Sequence, residues 1–151
     1  MFNKKWVDRF MDLSRTISHW SKDPSTKVGA VIVDDKKRII GVGYNGFPRG
    51  VDDDEERYAD RQTKYKMVSH AERNALDNCP ISAEGTTMFV TLMPCSDCAK
   101  SIIQRGIKRV IVAPMLIQND LAENYNWDTD IYNWKITQLM FKEAGVELIF
   151  S

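Results

Sequence analysis

Four residues of this chain have the types and the spacing to do chemistry. They are His70 and Glu72 in "SHAERNAL" (69–76), and Cys95 and Cys98 in "MPCSDCAK" (93–100). Cysteines at i and i+3 share one face of a helix, and Pro94 predicts that this pair lies in a helix's first turn. Thiolates gain there from the helix dipole and the free N–H groups. A Cys-x-x-Cys pair has three readings. A redox pair needs exposure and a thioredoxin-like frame, which the elements before it do not suit. A closed structural zinc site needs four ligands, so Cys79 and a histidine would have to complete it. A catalytic zinc needs three protein ligands and one open position, and His70, Cys95 and Cys98 supply three.

Glu72 discriminates among these readings. On a regular helix it points about 200° away from His70. It therefore flanks the open position instead of adding a fourth ligand, and there it can move protons. Taken alone, Glu72 is only a favourable charge at a helix N-terminus, worth under about 1 kcal/mol. Beside "PCSDC" the catalytic reading is the stronger one. His19 falls in the first helix, away from both motifs, and is read as structural. Cys79, just before Pro80, is read as a buried, inert thiol.

The elements that must position these residues follow from periodicity. Trp6, Phe10, Leu13, Ile17 and Trp20 make one apolar helical face, which Pro24 ends. "VGAVIV" (28–33) is a continuous apolar run, as in a strand buried on both faces. "RIIGVGYN" (38–45) is the second strand of a hairpin. Residues 46–65 are polar and glycine-punctuated and predict a long loop with a short helix late in it; such loops usually bind something. A helix over Ser69–Asn78 follows, with Ser69 as its N-cap. Then come a strand (86–92), a helix (Cys95–Arg105), a strand (107–113), a second long loop (114–129), a helix (Asp130–Ala144) and a last strand (146–150). The order α-β-β-α-β-α-β-α-β predicts a three-layer α/β/α sandwich on a mixed five-stranded sheet, in a single domain spanning 1–151.

Composition bounds the function. Twenty-one basic residues balance twenty-one acidic ones, which argues against a nucleic-acid track. No apolar run is long enough to span a membrane, and "MFNKKWVDRF" has no signal-peptide core, so a soluble, cytoplasmic protein is expected. Three cysteines do not make a disulfide framework.

H-x-E followed by P-C-x-x-C is the signature of zinc nucleobase deaminases, and "HAE" (70–72) with "PCSDC" (94–98) is similar to it. Over nearly its whole length the chain resembles the deoxycytidylate (dCMP) deaminase family, in "SKDPSTKVGAVIV", "GYNGFPRG", "HAERNAL", "FVTLMPCSDCAKSIIQRGIKRVIV" and "DTD". The resemblance implies a cytidine deaminase-like fold, one Zn²⁺ per chain on His70, Cys95 and Cys98, and Glu72 as proton shuttle. It implies hydrolysis of the cyclic amidine C–N bond of dCMP, giving dUMP for thymidylate synthesis and ammonia. Asn45 would hold the deoxyribose. The "GYNG" stretch lies near a triphosphate site in regulated members, which dCTP activates and dTTP inhibits and which are often hexamers. A homo-oligomer, a hexamer above all, is therefore expected, with an effector site on Gly43, Tyr44, Gly46 and Arg49. The acidic run "DDDEE" (52–56) would help to hold the triphosphate's Mg²⁺.

The remaining substrate contacts are expected from Thr26, Ala71, Arg73, Ser96 and Tyr125. Phosphate donors are sought among Lys27, Arg49, Arg73 and Lys100, with Thr26 and Ser96 as neutral helpers. Arg73 comes first, because it directly follows Glu72. Tyr125 and Trp127 could stack on the base or lie in the core. The chain departs from the family in three respects: Arg73 stands where an uncharged or acidic residue is usual, segment 114–129 differs from the family's aromatic loop, and three cysteines leave too few ligands for a second zinc. The rival functions are a deaminase of another cytosine nucleotide (dCTP or 5-modified dCMP), of free bases or nucleosides, of a pterin or riboflavin intermediate, or of tRNA adenosine, and a non-enzymatic zinc module.

Overall fold

The computed structural model describes residues 2–114, 129, 130 and 132–151. Tyr125 and Trp127, both expected near the site, lie outside the described residues.

Helix α1 (Lys4–Ser18) starts at Asn3, whose side chain accepts a hydrogen bond from Trp6 N at 3.2 Å. It buries Phe10, Met11 and Ile17, as its periodicity demands. Trp20 does not continue that face. It lies past the helix end, exposed, with its ring edge-on to Tyr44.

The sheet contains β1 (Gly29–Val33), β2 (Ile39–Tyr44), β3 (Thr87–Val90), β4 (Arg109–Val112) and β5 (Glu147–Phe150), in the order β2-β1-β3-β4-β5. β1 pairs antiparallel with β2 and with β3, whereas β3–β4 and β4–β5 are parallel. The sheet is mixed, as expected. Alternate residues of the central strands feed two cores. Val31, Val33, Phe89 and Ile111 pack with Phe10, Met11 and Ile17 of α1. On the other face Ala30, Ile32, Met88, Val90, Val110 and Val112 pack against α4 (Ala71–Asp77), α5 (Ser96–Gln104) and α6 (Trp134–Ala144). The three layers follow from this alternation.

The long polar stretch after β2 is less of a loop than the sequence predicts. It holds two short helices, α2 (Glu55–Ala59) and α3 (Arg61–Met67). Asp54 and Asp60 cap them by accepting from Glu56 N at 2.8 Å and Gln62 N at 3.2 Å.

Three predicted helix starts also shift. Ser69 is not the cap of α4; it bridges to Gly46 through two backbone hydrogen bonds, and His70 takes the N-cap place. Pro94 precedes the N-cap of α5, which is Cys95. α6 starts at Trp134 instead of Asp130, whose carboxylate reaches forward to accept from Trp134 N at 2.9 Å and Lys135 N at 3.0 Å.

Helix α4 lies unusually close to the sheet edge. A Cβ on Gly43 would fall inside the contact shells of Ala75 N and Ala71 O, and one on Gly41 would meet Ala75 O and the Cys79 sulfur. Glycine at alternate positions of β2 thus sets how near α4 can come, and α4 carries His70 and Glu72 at its N-terminal end.

Candidate active site and metal centre

The two motifs meet at two helix ends. His70 is the N-cap of α4 and Cys95 the N-cap of α5, and neither makes a side-chain cap hydrogen bond. Their polar atoms turn toward each other instead. Nδ1 of His70 lies 3.4 Å from Sγ of Cys95 and 3.4 Å from Sγ of Cys98. The three ligand atoms all lie within 4.8 Å of one another.

These distances suit zinc. A nitrogen at ~2.0–2.1 Å and a thiolate at ~2.3 Å from one tetrahedral ion are about 3.6 Å apart. The ionisation of the cluster also fits a cation. A hydrogen bond from Cys98, then the bond with His70, pulls the Cys95 thiol down to about 4. The bond with Cys95 raises His70, and Cys98 is pushed up by its bond to the Cys95 sulfur and by burial. Two thiolates and a neutral imidazole are the donors a zinc ion takes, released of their protons on binding.

The loop that presents the cysteines is fastened from α6. Trp134 Nε1 donates to Met93 O at 3.1 Å, and Thr137 Oγ1 donates to Pro94 O at 3.1 Å. Both side chains are buried, at 1 % and 0 % exposure, so they have no water to trade for these carbonyls. Ser96 N donates to Tyr132 O at 3.2 Å, and Ser96 Oγ accepts from Asn133 Nδ2 at 3.3 Å. Ser96 thus ties α5 to the start of α6, outside the cleft beside the metal ligands.

Glu72 is 4 % exposed and lines that cleft together with His70 and Cys95. Burial raises its carboxyl above the ordinary range, and the carboxyl also bonds with the Cys98 thiol. It is not among the three clustered ligands, in keeping with its expected place beside them.

The cleft takes in some of the other expected residues. Thr26, Asn45 and Ala71 line it. Asn45 is buried, and its amide is committed to the backbone: Oδ1 accepts from Val28 N at 2.8 Å and Nδ2 donates to Thr26 O at 2.8 Å. Arg73 does not line the cleft. It is exposed and lies between two grooves on the outer side of α4, because on a helix it points away from the face that carries Ala71 and Ala75 inward.

Sequence reasoning missed Asp23, Arg61, Lys64, Tyr65 and Tyr132, all of which line the cleft. Lys64 is buried and donates to Asp23 Oδ1 at 3.3 Å and Ser25 Oγ at 3.2 Å. The only signal for Arg61 and Lys64 was the length of the polar stretch they sit in. His19 is exposed and takes no part in the site. Cys79 is half-buried and free, donates to Ala75 O at 3.3 Å, and is pushed up by burial, as an inert thiol would be.

Of the expected effector residues, Tyr44, Gly46 and Arg49 line a second groove with Lys66, Asn74 and Asn78. Gly43 belongs elsewhere, since its free side faces α4. The acidic run does not line that groove, and two of its members are engaged elsewhere. Asp53 pairs with Lys22 at 2.8 Å, and Asp54 caps α2.

The model of the cytidine and deoxycytidylate deaminase zinc-binding region matches residues 4–114. The chain belongs to this deaminase family. Human deoxycytidylate deaminase is 40% identical over 148 residues, which cover 94% of this chain and 77% of the human one. A protein of Aliivibrio fischeri called "Uncharacterized deaminase in luxG 3'region" is 41% identical over 144 residues, 95% of this chain and 92% of its own length. Among solved structures, dCMP deaminase from the cyanophage S-TIM5 in complex with dCMP and dUMP superposes with a TM-score of 0.74 at 25% identity, covering 100% of both chains. The fold is accordingly that of the dCMP deaminases.

Proposed function

We propose that this chain, acting as one domain over 1–151, hydrolyses dCMP to dUMP and ammonia. The observation that carries this reading is the meeting of His70, Cys95 and Cys98 at two helix N-termini with the buried Glu72 carboxyl in the same cleft. The family and the relatives named deoxycytidylate deaminase support the substrate.

His70 Nδ1 and the two thiolates would hold one zinc per chain. When bound, zinc supplies a Lewis acid that makes water a nucleophile at neutral pH. Glu72 takes a proton from the attacking water and delivers it to N3 of the cytosine ring as oxygen adds to C4. Glu72 then takes the proton of the new C4 hydroxyl and passes it to the exocyclic amine, the C4–N bond breaks, the C4 carbonyl forms, and ammonia leaves. A carboxyl raised by burial both accepts and returns protons readily, and such shuttling is worth roughly 10²–10⁴-fold. Asn45 has one amide N–H left for the sugar. Its other bonds fix the 26–28 backbone that the substrate lies against. A structural zinc module has no use for an acid–base group buried at the ligands.

The second groove supports a regulatory site for dCTP and dTTP. Arg49, Lys66 and Arg73 give it three cations, which suit a triphosphate. Mg²⁺ would arrive with that ligand, since Asp53 and Asp54 are already engaged. A homo-oligomer, a hexamer first, and a cytoplasmic place accord with this reading. No helix of the described residues is long and apolar enough to cross a membrane. The decisive experiment is a deamination screen of the purified protein over cytosine nucleosides and their mono- and triphosphates, with and without dCTP and dTTP. Turnover greatest on dCMP is expected, and turnover greatest on deoxycytidine or dCTP would overturn the reading.

A further inference from the structure

A nucleoside monophosphate brings a dianion into a cleft whose wall already holds the Asp23 carboxylate. Cations must answer it, and the supply is short. Every lysine and arginine of the chain lies among the described residues, for segment 115–128 contains none. Only Arg61 and Lys64 among them line the cleft.

The two differ in what they already do. Lys64 is 6 % exposed and committed to Asp23 and Ser25. Asp23 Oδ1 in turn accepts from Ser25 N at 2.9 Å and Thr26 N at 3.3 Å, so this ion pair shapes the turn on the cleft wall. Pulling Lys64 away would strand a buried carboxylate, which is strongly unfavourable. Arg61 is exposed, and its guanidinium lies over the Tyr65 ring, 5.8 Å from the centroid. No carboxylate among the described residues pairs with it. Stacking on a ring occupies the face of a guanidinium and leaves its edge N–H groups to donate, in a fork that matches a phosphate. Arg73, one residue past Glu72 in sequence, faces away from the cleft.

We infer that Arg61 recognises the 5′-phosphate and sets the preference for nucleotide over nucleoside, with Lys64 a positioning residue that holds the Asp23–Thr26 turn. This rests on the substrate reading above. It is tested on the zinc-loaded enzyme by kcat/KM for dCMP and for deoxycytidine, in wild type, Arg61→Ala, Arg61→Lys and, as a cation outside the cleft, Lys100→Ala. In Arg61→Ala the ratio of dCMP to deoxycytidine efficiency should fall about 10- to 100-fold, the worth of a charged hydrogen bond, chiefly through KM. Arg61→Lys should restore part of it, returning the charge without the fork. Lys100→Ala should keep the wild-type ratio. Inorganic phosphate should compete with dCMP in wild type and about tenfold more weakly in Arg61→Ala. An unchanged ratio in Arg61→Ala, an equal loss on both substrates, or a collapse of the ratio in Lys100→Ala would overturn the assignment. A wild-type enzyme that handles deoxycytidine as well as dCMP would overturn the substrate reading itself, and would do so before any variant was made.

Discussion

The metal cleft and the second groove lie on either side of α3 and α4 and are built in opposite ways. In the cleft Glu72, Lys64 and Asn45 are buried, and each is held by its surroundings: Glu72 beside Cys98, Lys64 on Asp23, Asn45 on the 26–28 backbone. In the groove the cations are exposed, and the contact of Arg49 Nη2 with Asn78 Oδ1 at 2.6 Å joins two side chains that water also reaches. Burial makes these three groups expensive to alter. The groove can change its residues at little cost to folding, as suits a site that tunes and does not catalyse.

The sharpest way to break this contrast is to remove a ligand. His70→Ala, Cys95→Ala and Cys98→Ala should each lose zinc and essentially all turnover, while His19→Ala and Cys79→Ala keep one zinc per chain by elemental analysis. Retention of the metal in Cys98→Ala would refute the cluster as the centre. Next in size, Glu72→Gln should keep zinc and fold and lose about 10²–10⁴ in kcat, because an amide cannot relay a proton. Near-normal turnover would send the proton through another group.

Asn45→Ala should cost about 1–3 kcal/mol of stability in a denaturant titration, since Val28 N is left buried without its acceptor, and should also raise KM for dCMP without changing zinc content. A raised KM at wild-type stability would instead make Asn45 a substrate contact alone. The smallest effect is expected in the groove. Wild type should show sigmoidal dCMP kinetics that dCTP with Mg²⁺ makes hyperbolic and dTTP inhibits, and Arg49→Ala should blunt that response. Kinetics in wild type that are hyperbolic and indifferent to both triphosphates would remove the groove's proposed role.

How much of this the sequence disclosed depends on how narrow the chemistry is. Zinc accepts few residue types, and catalysis needs an open position with a proton carrier beside it. "HAE" and "PCSDC" could therefore be read together across 21 intervening positions. Of the five strands, β1, β3 and β4 were the most legible because they are buried on both faces. Phosphate recognition was not, because any of 21 cations could serve and only the tertiary fold decides which of them face inward. Proximity in sequence pointed to Arg73, and helix rotation sends it outward. The glycine of "GYNG" misled for a related reason: Gly43 permits a close approach, but of a helix and not of a ligand. Ser69 has the better capping side chain, yet His70 takes the cap because its ring is drawn to the two sulfurs.

Val68, at the end of α3, lines both the cleft and the groove, one step before the Gly46–Ser69 bridge and two before His70. A shared wall of this kind has a thermodynamic corollary. Whatever factor a triphosphate in the groove applies to substrate affinity, the substrate must apply to triphosphate affinity in return. That reciprocity can be read at equilibrium, with no turnover at all. The dissociation constant of dCTP, titrated with and without saturating dUMP, should shift by the factor by which dCTP shifts that of dUMP.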